Sequence, residues 1–446
     1  MGPAWSTGAR RRLAAALAGR EARWLLGILG VALLVRIAVI VATRDYAPWG
    51  DPADYDRIAI AFSALGEWAP TTWAEPGTPT AFRAPAYPLL LAAIYDLTGM
   101  RYAAARVVEA LLGVLSVGLV WAIARQIATD PRVARWAAGL CALLPSLVWL
   151  NASLLSETLF VPLLLGAVLA VLLHRERPGW RLALLAGVLA GLAVATRSSG
   201  APLVLPLLLG LWLPGRRWRP TAVAAVAVVL VLTPWTVRNW IELDRFMPLG
   251  SHAGYTLAGV WNEESNGPGE LFAASRLPEQ QRAMQDLFLP SRLTEGQLDR
   301  ELRARGLRYG REHPGFVARA TGAHLLRLFL VGPGHARAAE LSAREMAIPE
   351  GWRGTLRPPV LALVLLTLVA VVGWIRRRRL PGPLWLWAVP VVLLVTTAPL
   401  VGSPRYRIPL DPFLALAAAT AIPLLMDRLR PRRAEPSADE AACAES

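Results

Sequence analysis

Ten apolar segments that are candidate membrane spans constrain this chain more than any other feature of its sequence. At a rise of about 1.5 Å per residue, about 20 apolar residues cross the hydrocarbon core of a bilayer as a helix. Hydrophobic residues make up 55% of the chain and charged residues only 18%, a composition typical of multi-pass membrane proteins. The sequence therefore predicts an all-α, polytopic membrane protein with spans near residues 24–42, 103–127, 133–151, 157–173, 182–197, 201–214, 220–237, 356–375, 383–402 and 410–426.

The arginines are concentrated between the apolar segments, and this pattern sets the predicted orientation. Arg-rich joints at 174–181, 215–219, 376–379 and 427–433 all fall on one side of the membrane if the ten spans alternate. Because cytoplasmic loops carry an excess of positive charge, we expect a plasma-membrane protein with both termini in the cytoplasm. In a soluble chain the formal charge of +15 would suggest nucleic-acid binding. Here its placement indicates membrane lipids as partners and excludes nucleic acid.

Two long segments without a confident span divide the chain into predicted domains. By the parity of the spans, both lie on the outer face, and the second shows helical periodicity with a break at His313-Pro314. That periodicity is typical of amphipathic helices on a lipid surface. The predicted domains are a membrane module at 1–237 with its first outer loop at 43–102, an outer-face segment at 238–355, C-terminal spans at 356–430 and a disordered cytoplasmic tail at 431–446.

Three acids, Asp51, Asp54 and Asp56, follow the first span in the stretch GDPADYDRIA. Glu157, in the stretch NASLLSETLF, falls at the same predicted depth at the outer surface. Asp51 and Glu157 come from distant parts of the chain but are predicted at one depth at the outer surface. Two carboxylates at one depth indicate a functional site. The alternative is that Glu157 only caps its own helix, with Ser156 before it, because an acid is favourable in a first turn. Asp56 is most simply a solvated acid of the first turn.

Arg36 lies inside the first predicted span, where a charge is costly and needs a partner. It lies about two turns from the end of the span, at a depth that Asp51 or Glu157 can reach. We favour a structural role for Arg36, with an ion pair to one of these acids. Arg197, at the end of another span, raises the same two alternatives of a functional role or an ion pair.

The stretch GSPRYRIPLDP at 402–412 places Arg405 and Arg407 on the predicted outer face, against the usual distribution of charge. Guanidinium groups bind phosphate in bidentate fashion, so an anion such as a lipid phosphate is one expected partner. The other expectation is an ion pair with Asp411 or with an acid of the outer segments.

Metal binding finds little support in the sequence. Four of the five histidines, His252, His313, His324 and His335, are scattered without the short fixed spacing of a zinc site. No metal site is therefore assigned, and a divalent cation is left open as a cofactor.

Several short motifs, taken in order along the chain, point to one family of membrane enzymes. They are GDPADY, GEWAP, FRAPAYPLLLAAIYDLTG, NASLLSETLF, GLAVATRSSG, RNW, REHPGFVAR and RYRIPLDP. Together they resemble the protein O-mannosyltransferase-like glycosyltransferases of glycosyltransferase family 39. This family belongs to the C-type superfold, which also includes the lipid A aminoarabinose transferase. The resemblance runs from the first span to the last.

The resemblance implies an enzyme that moves a hexosyl or pentosyl group from a polyprenyl-phosphate carrier to an acceptor on the outer face. It implies that Asp51 is the catalytic aspartate, that Tyr55 completes the local motif and that Glu157 belongs to the same site. Contacts with the carrier phosphate or the sugar are implied for Arg83, Arg197, Arg405 and Arg407.

The residue types suit this chemistry. A sugar linked through phosphate already carries a good leaving group, so the enzyme must deprotonate an acceptor hydroxyl and stabilise the departing phosphate. Asp51 would be the general base, and the arginines would be the electrostatic clamp. Direct displacement at the anomeric carbon would invert its configuration, which requires a single base.

The sequence leaves open which acceptor is used and whether the protein is an enzyme at all. Family members that act on protein usually follow the loop aspartate with glutamate, whereas Pro52 stands here. Asp54 could replace the missing acid or act as the base, and the acceptor stays open among lipid, glycan and protein. A transporter for lipid-linked sugar and an inactive carrier-binding scaffold are the rival readings. The predicted charges gather at one face rather than at the midplane, which favours an enzyme over a transporter.

Overall fold

The computed structural model describes residues 19–68, 79–263, 265 and 294–429, and within these ranges the chain is helical and contains no strand. Numbered in chain order among the described residues, the α-helices are α1 Arg20–Ala42, α2 Asp51–Leu65, α3 Ala86–Thr98, α4 Tyr102–Ile127, α5 Pro131–Leu143, α6 Pro145–Leu150, α7 Glu157–Glu176, α8 Trp180–Thr196, α9 Val204–Trp212, α10 Trp218–Leu243, α11 His252–Val260, α12 Glu295–Glu312, α13 Pro314–Leu328, α14 His335–Glu345, α15 Glu350–Arg353, α16 Arg357–Arg377, α17 Leu384–Thr397 and α18 Asp411–Leu429. Short 3₁₀ helices lie at Ser198–Leu203, Pro214–Arg216, Gly354–Leu356 and Pro404–Leu410.

The described helices confirm the predicted all-α, polytopic membrane class. Six are long and apolar enough to cross a membrane: Arg20–Ala42, Tyr102–Ile127, Glu157–Glu176, Trp218–Leu243, Glu350–Arg377 and Pro404–Asp427. Four shorter apolar helices accompany them: Ala86–Thr98, Trp180–Thr196, Ser198–Trp212 and Leu384–Thr397. The predicted tail at 431–446 lies outside the described residues.

One predicted span, 133–151, is divided in the structure. Helix α5 ends at Leu143, Leu144 is extended with φ −62° and ψ 117°, and α6 begins at Pro145. Proline has no amide N–H and disfavours a helical conformation at the residue before it, so the break falls at this position. The break leaves carbonyl groups of α5 without helical partners in the interior of the bundle.

Small residues allow the helices of the bundle to approach closely. Helix α8 packs between α7 and α10. A Cβ atom added at Gly187 would lie 2.3 Å from the carbonyl oxygen of Ala224 on α10. Glycine is therefore required at this crossing, as is common where helices pack in membranes.

The two long segments that were predicted to share one face contact each other. The amide of Ala81 donates to Oε1 of Glu295 at 2.8 Å, and the amide of Ser251 donates to the carbonyl of Ala81 at 3.1 Å. Gly250 lies beside this contact with φ +92°, and a Cβ there would lie 2.3 Å from the Ala81 oxygen. The second segment also breaks at His313-Pro314 as predicted, between α12 and α13. These contacts bring residues from both segments around one cavity.

Candidate active site

Asp51 is placed by a tight turn at the start of α2. Gly50, with φ +69°, is the residue before the helix, and Pro52 occupies the second helical position, where a missing amide proton costs nothing. The Asp51 carboxylate binds two guanidinium groups. Its Oδ1 accepts from Nη2 of Arg83 at 2.5 Å, and its Oδ2 accepts from Nη2 of Arg405. Asp51 and Arg83 lie in the predicted first outer loop and Arg405 lies more than 300 residues later, and the fold joins them.

Arg405 is the centre of the charged groups around Asp51. Its side chain is fully buried, with 0% of its surface exposed. Besides Asp51, its Nε donates to Oε1 of Glu157 at 2.9 Å, and its Nη1 lies 2.7 Å from Oε2 of Glu345. Three carboxylates from three different elements therefore share one guanidinium.

Two further arginines close the network. Arg83 Nη2 also donates to Oδ2 of Asp54 at 2.7 Å. Arg197 Nη1 lies 2.8 Å from Oε2 of Glu157 and donates to Oγ of Ser156 at 2.9 Å. The Ser156 hydroxyl in turn lies 3.0 Å from the hydroxyl of Tyr55. We call the seven ionisable members the charge cluster: Asp51, Asp54, Arg83, Glu157, Arg197, Glu345 and Arg405.

A cavity of about 880 Å³ opens beside the charge cluster. Asp51, Arg83 and Arg197 line it, together with Tyr55 and Tyr406. Arg405 and Glu157 are not among its lining residues and are fully buried behind the wall, whereas Glu345, with 20% of its side chain exposed, also does not line the cavity. The cluster thus has a face of one carboxylate and two guanidiniums toward the cavity, and a buried part that holds this face in place.

Burial and neighbouring charges shift the pKa values of the groups around the cavity. Burial alone would raise the pKa of Asp51, but Arg83 and Arg405 outweigh it and hold that pKa well below its usual range. Burial raises the pKa of Glu345 to about 7 in spite of the nearby Arg405. Burial, with a contribution from Arg83, lowers the pKa of His252 to about 4. At neutral pH, Asp51 is therefore ionised and His252 is neutral.

Arg407 does not reach the charge cluster. Its Nη1 lies 3.2 Å from Oδ1 of Asp411, one turn later, and Oδ2 of Asp411 accepts from the Ser146 hydroxyl at 2.6 Å. Of the two partners expected for Arg407, the structure shows the ion pair with Asp411. Arg405 and Arg407 lie two positions apart in the 3₁₀ helix Pro404–Leu410, and with three residues per turn their side chains point in different directions.

The expectation that Asp56 is a solvated acid was wrong. Its carboxylate is buried and accepts hydrogen bonds from the hydroxyls of Tyr95 at 2.6 Å and Tyr102 at 2.9 Å. Tyr95 belongs to α3, which packs against α2, and Tyr102 is the first residue of α4. Asp56 therefore anchors α2 to its neighbours and lies outside the charge cluster.

The structure also shows the hydrogen-bond and ion-pair partners of Glu157 and Arg36. Ser156 makes no side-chain capping bond, and the Glu157 carboxylate binds Arg405 and Arg197 instead of serving only its own helix. Arg36 has the structural role that we favoured, but through neutral acceptors rather than an acid. Its guanidinium donates to Oδ1 of Asn151 at 2.9 Å and to the carbonyls of Ala32 and Ala142 at 3.0 and 3.1 Å.

Several residues of the site carried no clear signal in the sequence. Glu345 lies in an ordinary polar helix, and only the fold brings it to Arg405. Tyr406 lies between the two predicted arginines, and its ring contacts the guanidiniums of Arg405 at 4.8 Å and Arg197 at 5.2 Å. His252 lines the cavity, with its Nδ1 2.9 Å from the hydroxyl of Thr256. In the part of the chain that the structure describes, no three His, Cys, Asp or Glu side chains are grouped to hold a metal ion.

Comparisons with known proteins cover the chain unevenly. No curated protein matches it. It is similar to the crystal structure of ArnT from Cupriavidus metallidurans bound to undecaprenyl phosphate, at 16% identity and a TM-score of 0.43, over 92% of this chain and 81% of that one. The apo structure of the same ArnT gives 17% identity and a TM-score of 0.41, over 93% and 82% of the two chains.

A family model gives the more specific match. Residues 82–240 match the family described as dolichyl-phosphate-mannose-protein mannosyltransferase. This segment contains Arg83, Glu157 and Arg197, whereas Asp51 precedes it and Arg405 follows it. The resemblance found in the sequence is therefore confirmed for residues 82–240, which match the dolichyl-phosphate-mannose-protein mannosyltransferase family.

Proposed function

We propose that this protein is a membrane glycosyltransferase that moves a sugar from a polyprenyl-phosphate carrier to an acceptor hydroxyl. One observation carries the proposal: an ionised carboxylate, Asp51, and two guanidiniums, Arg83 and Arg197, line the same cavity beside membrane-spanning helices. These are the groups that a transfer from a sugar phosphate requires, a proton acceptor beside a phosphate clamp. The family model at residues 82–240 supports the same chemistry.

The carrier phosphate is assigned to Arg83 and Arg197. Both guanidiniums line the cavity, and guanidinium binds phosphate oxygens through paired, charge-assisted hydrogen bonds. Arg405, which the sequence placed among the phosphate contacts, is fully buried and already shared by three carboxylates. We assign it a different task, which is to hold Asp51 and Glu157 in position.

Asp51 is assigned the role of general base, and binding of the donor prepares it for that role. In the free protein, Arg83 and Arg405 lower the pKa of Asp51 and make it a weak base. A phosphate that draws Arg83 toward itself removes part of this positive charge and raises the basicity of Asp51. The base thus becomes effective when the sugar donor is in place.

The reaction is a single displacement. The acceptor oxygen attacks the anomeric carbon, its proton passes to Asp51, and the bond between that carbon and the phosphate oxygen breaks. The electron pair of the broken bond leaves with the carrier phosphate, whose charge Arg83 and Arg197 stabilise. Attack opposite the leaving group inverts the anomeric configuration.

The setting of the reaction follows from the topology proposed from the sequence. Both termini lie in the cytoplasm, and the cavity faces the outside of the plasma membrane. The transferred group is a hexose or a pentose, and the acceptor is a lipid, a glycan or a protein. Pro52 after Asp51 counts against a protein acceptor.

Transfer by reconstituted protein tests the proposal. Vesicles holding the wild-type chain receive labelled polyprenyl-phosphate hexoses or pentoses and a crude envelope fraction as acceptor. We expect Asp51→Asn to lower the transfer rate by about 10²–10⁴-fold, the usual contribution of a general base. Asp45→Asn is the matched control, because Asp45 lies in the same loop with 95% of its side chain exposed.

The other outcomes identify the alternatives. Transfer unchanged by Asp51→Asn but lost in Asp54→Asn would move the base to Asp54. Movement of the labelled carrier between leaflets, without any transfer, would show a transporter instead. Binding of the carrier by wild type with neither transfer nor movement would show a scaffold.

A further inference from the structure

Glu345 is the least compensated carboxylate of the charge cluster. Asp51 contacts both Arg83 and Arg405, and Glu157 contacts both Arg197 and Arg405. Among the described residues, Glu345 forms an ion pair with Arg405 alone, at 2.7 Å. Asp54 contacts Arg83 and also lies 3.9 Å from Arg57, so among the described residues Glu345 is the carboxylate of the cluster with a single guanidinium partner. It therefore takes up a proton more readily than the rest.

Glu345 also lies directly behind the proposed base. It is the last residue of α14, and a Cβ added at Gly50 would lie 3.4 Å from its Cγ and its Oε1. Gly50 immediately precedes Asp51. The ionisable groups that face Glu345 are Arg405, Asp51 and Glu157, and all three belong to the charge cluster.

The end of α14 is held firmly in this position. The Ser153 hydroxyl donates to the carbonyl of Met346 at 2.9 Å, and the hydroxyls of Ser342 and Ser403 lie 2.7 Å apart. The Arg344 guanidinium packs over the Trp49 ring, with 4.4 Å from Cζ to the centroid. Because these contacts fix the backbone on both sides of Glu345, a change in its charge acts on Arg405 rather than being relieved by movement of the helix.

We propose that Glu345 is a positioning residue that sets the basicity of Asp51 through Arg405 and so makes sugar transfer depend on pH. This inference rests on the proposed function, in which Asp51 is the base. When Glu345 is ionised, it neutralises part of the Arg405 charge, and Asp51 is the stronger base. When Glu345 is protonated, the full charge of Arg405 acts on Asp51 and lowers its pKa further. Transfer therefore rises with pH as Glu345 loses its proton.

The raised pKa of Glu345, about 7, places this rise between about pH 6 and pH 8. Asp51 and His252, which line the cavity, do not titrate in this window. Asp51 has a pKa far below it, and His252 has a pKa of about 4. The donor is a phosphodiester, which carries one negative charge throughout the window and adds no titration of its own.

The test is the pH profile of kcat between pH 5.5 and 8.5 for wild type, Glu345→Gln and Glu345→Asp in reconstituted vesicles. We expect kcat of wild type to rise about 3–10-fold across the window, the effect of one neighbouring charge on a general base. Glu345→Gln should give a flat profile at the low value, and Glu345→Asp should restore the rise. Glu340→Gln, on the same helix with 60% of its side chain exposed, should keep the wild-type profile.

Two results would overturn the inference. A rise in Glu345→Gln parallel to that of wild type, in protein with wild-type thermal stability, would show that another group titrates. A wild-type profile that stays flat between pH 5.5 and 8.5 would show that protonation of Glu345 does not control transfer. Asp51→Asn measured alongside separates the two proposals, because inactivity of Asp51→Asn with a parallel rise in Glu345→Gln contradicts only the role of Glu345. Full activity of Asp51→Asn contradicts the proposed base itself.

Discussion

Arg36 and Arg405 are both buried arginines in the membrane-spanning part of the chain, with 1% and 0% of their surfaces exposed, yet their surroundings differ. Arg36 donates to neutral oxygens, those of Asn151, of the Ala32 carbonyl in its own helix and of the Ala142 carbonyl at the break between α5 and α6. Arg405 is shared by three carboxylates beside a cavity. A buried guanidinium with neutral acceptors satisfies carbonyl groups that lack helical partners. A buried guanidinium among carboxylates forms ion pairs, and a bound anion or a proton can change the charge balance of those pairs.

Among the arginine substitutions, the largest effect on transfer is expected from removing the shared cation. Arg405→Met leaves the carboxylates of Asp51, Glu157 and Glu345 without their common partner and should lower transfer about 10²–10³-fold. Thermal stability should also fall, since breaking a buried ion pair costs about 3–5 kcal/mol. The measurements are transfer per folded molecule and the unfolding midpoint in detergent. A wild-type transfer rate in Arg405→Met would show that Arg405 is not part of the functional site.

A smaller effect is expected from the cavity-lining arginines. Arg83→Lys and Arg197→Lys keep the positive charge but lose the planar fork that binds phosphate through two hydrogen bonds. The KM for the polyprenyl-phosphate sugar should rise about tenfold, with a smaller change in kcat. Arg44→Lys is the matched control, because 85% of the Arg44 side chain is exposed. An unchanged KM in both variants would place the phosphate elsewhere in the cavity.

The smallest effect on transfer, and a clear effect on stability, is expected at Arg36. Arg36→Met removes the hydrogen bonds to Asn151, Ala32 and Ala142, and each carbonyl left unsatisfied costs about 1–3 kcal/mol. The unfolding midpoint should fall while transfer per folded molecule stays at the wild-type value. Loss of transfer at an unchanged midpoint would contradict the distinction between the two arginines.

Local patterns in the sequence predicted the helices well because apolar content and proline positions act over short distances. The apolar segments become helices, and the break at His313-Pro314 lies where it was predicted. The break inside 133–151 was missed although Pro145 signals it, because the apolar run continues across the proline. A length criterion for spans does not detect a helix that ends and restarts within one run.

The site was predictable only in part. The network joins Asp51, Arg83, Glu157, Arg197 and Arg405. A shared depth pointed to Asp51 and Glu157, and the family resemblance pointed to all five. Arg407, two positions after Arg405, forms an ion pair with Asp411 and does not join the charge cluster. The geometry of a 3₁₀ helix separates the side chains of the two arginines. The expectation of a solvated Asp56 was wrong because its partners, Tyr95 and Tyr102, lie in later helices, and only helix packing brings them close to Asp56.

The sequence by itself determined that this chain is a bundle of apolar helices and which acids and arginines could meet beside the membrane, because hydropathy and charge are properties of each residue. Only the tertiary structure decided which charges meet. It placed Arg405 behind the cavity wall rather than in the cavity, and it added Glu345 to the network. The physical reason is that ion pairing depends on distances of a few ångströms between residues far apart in the chain, and helix packing alone fixes those distances.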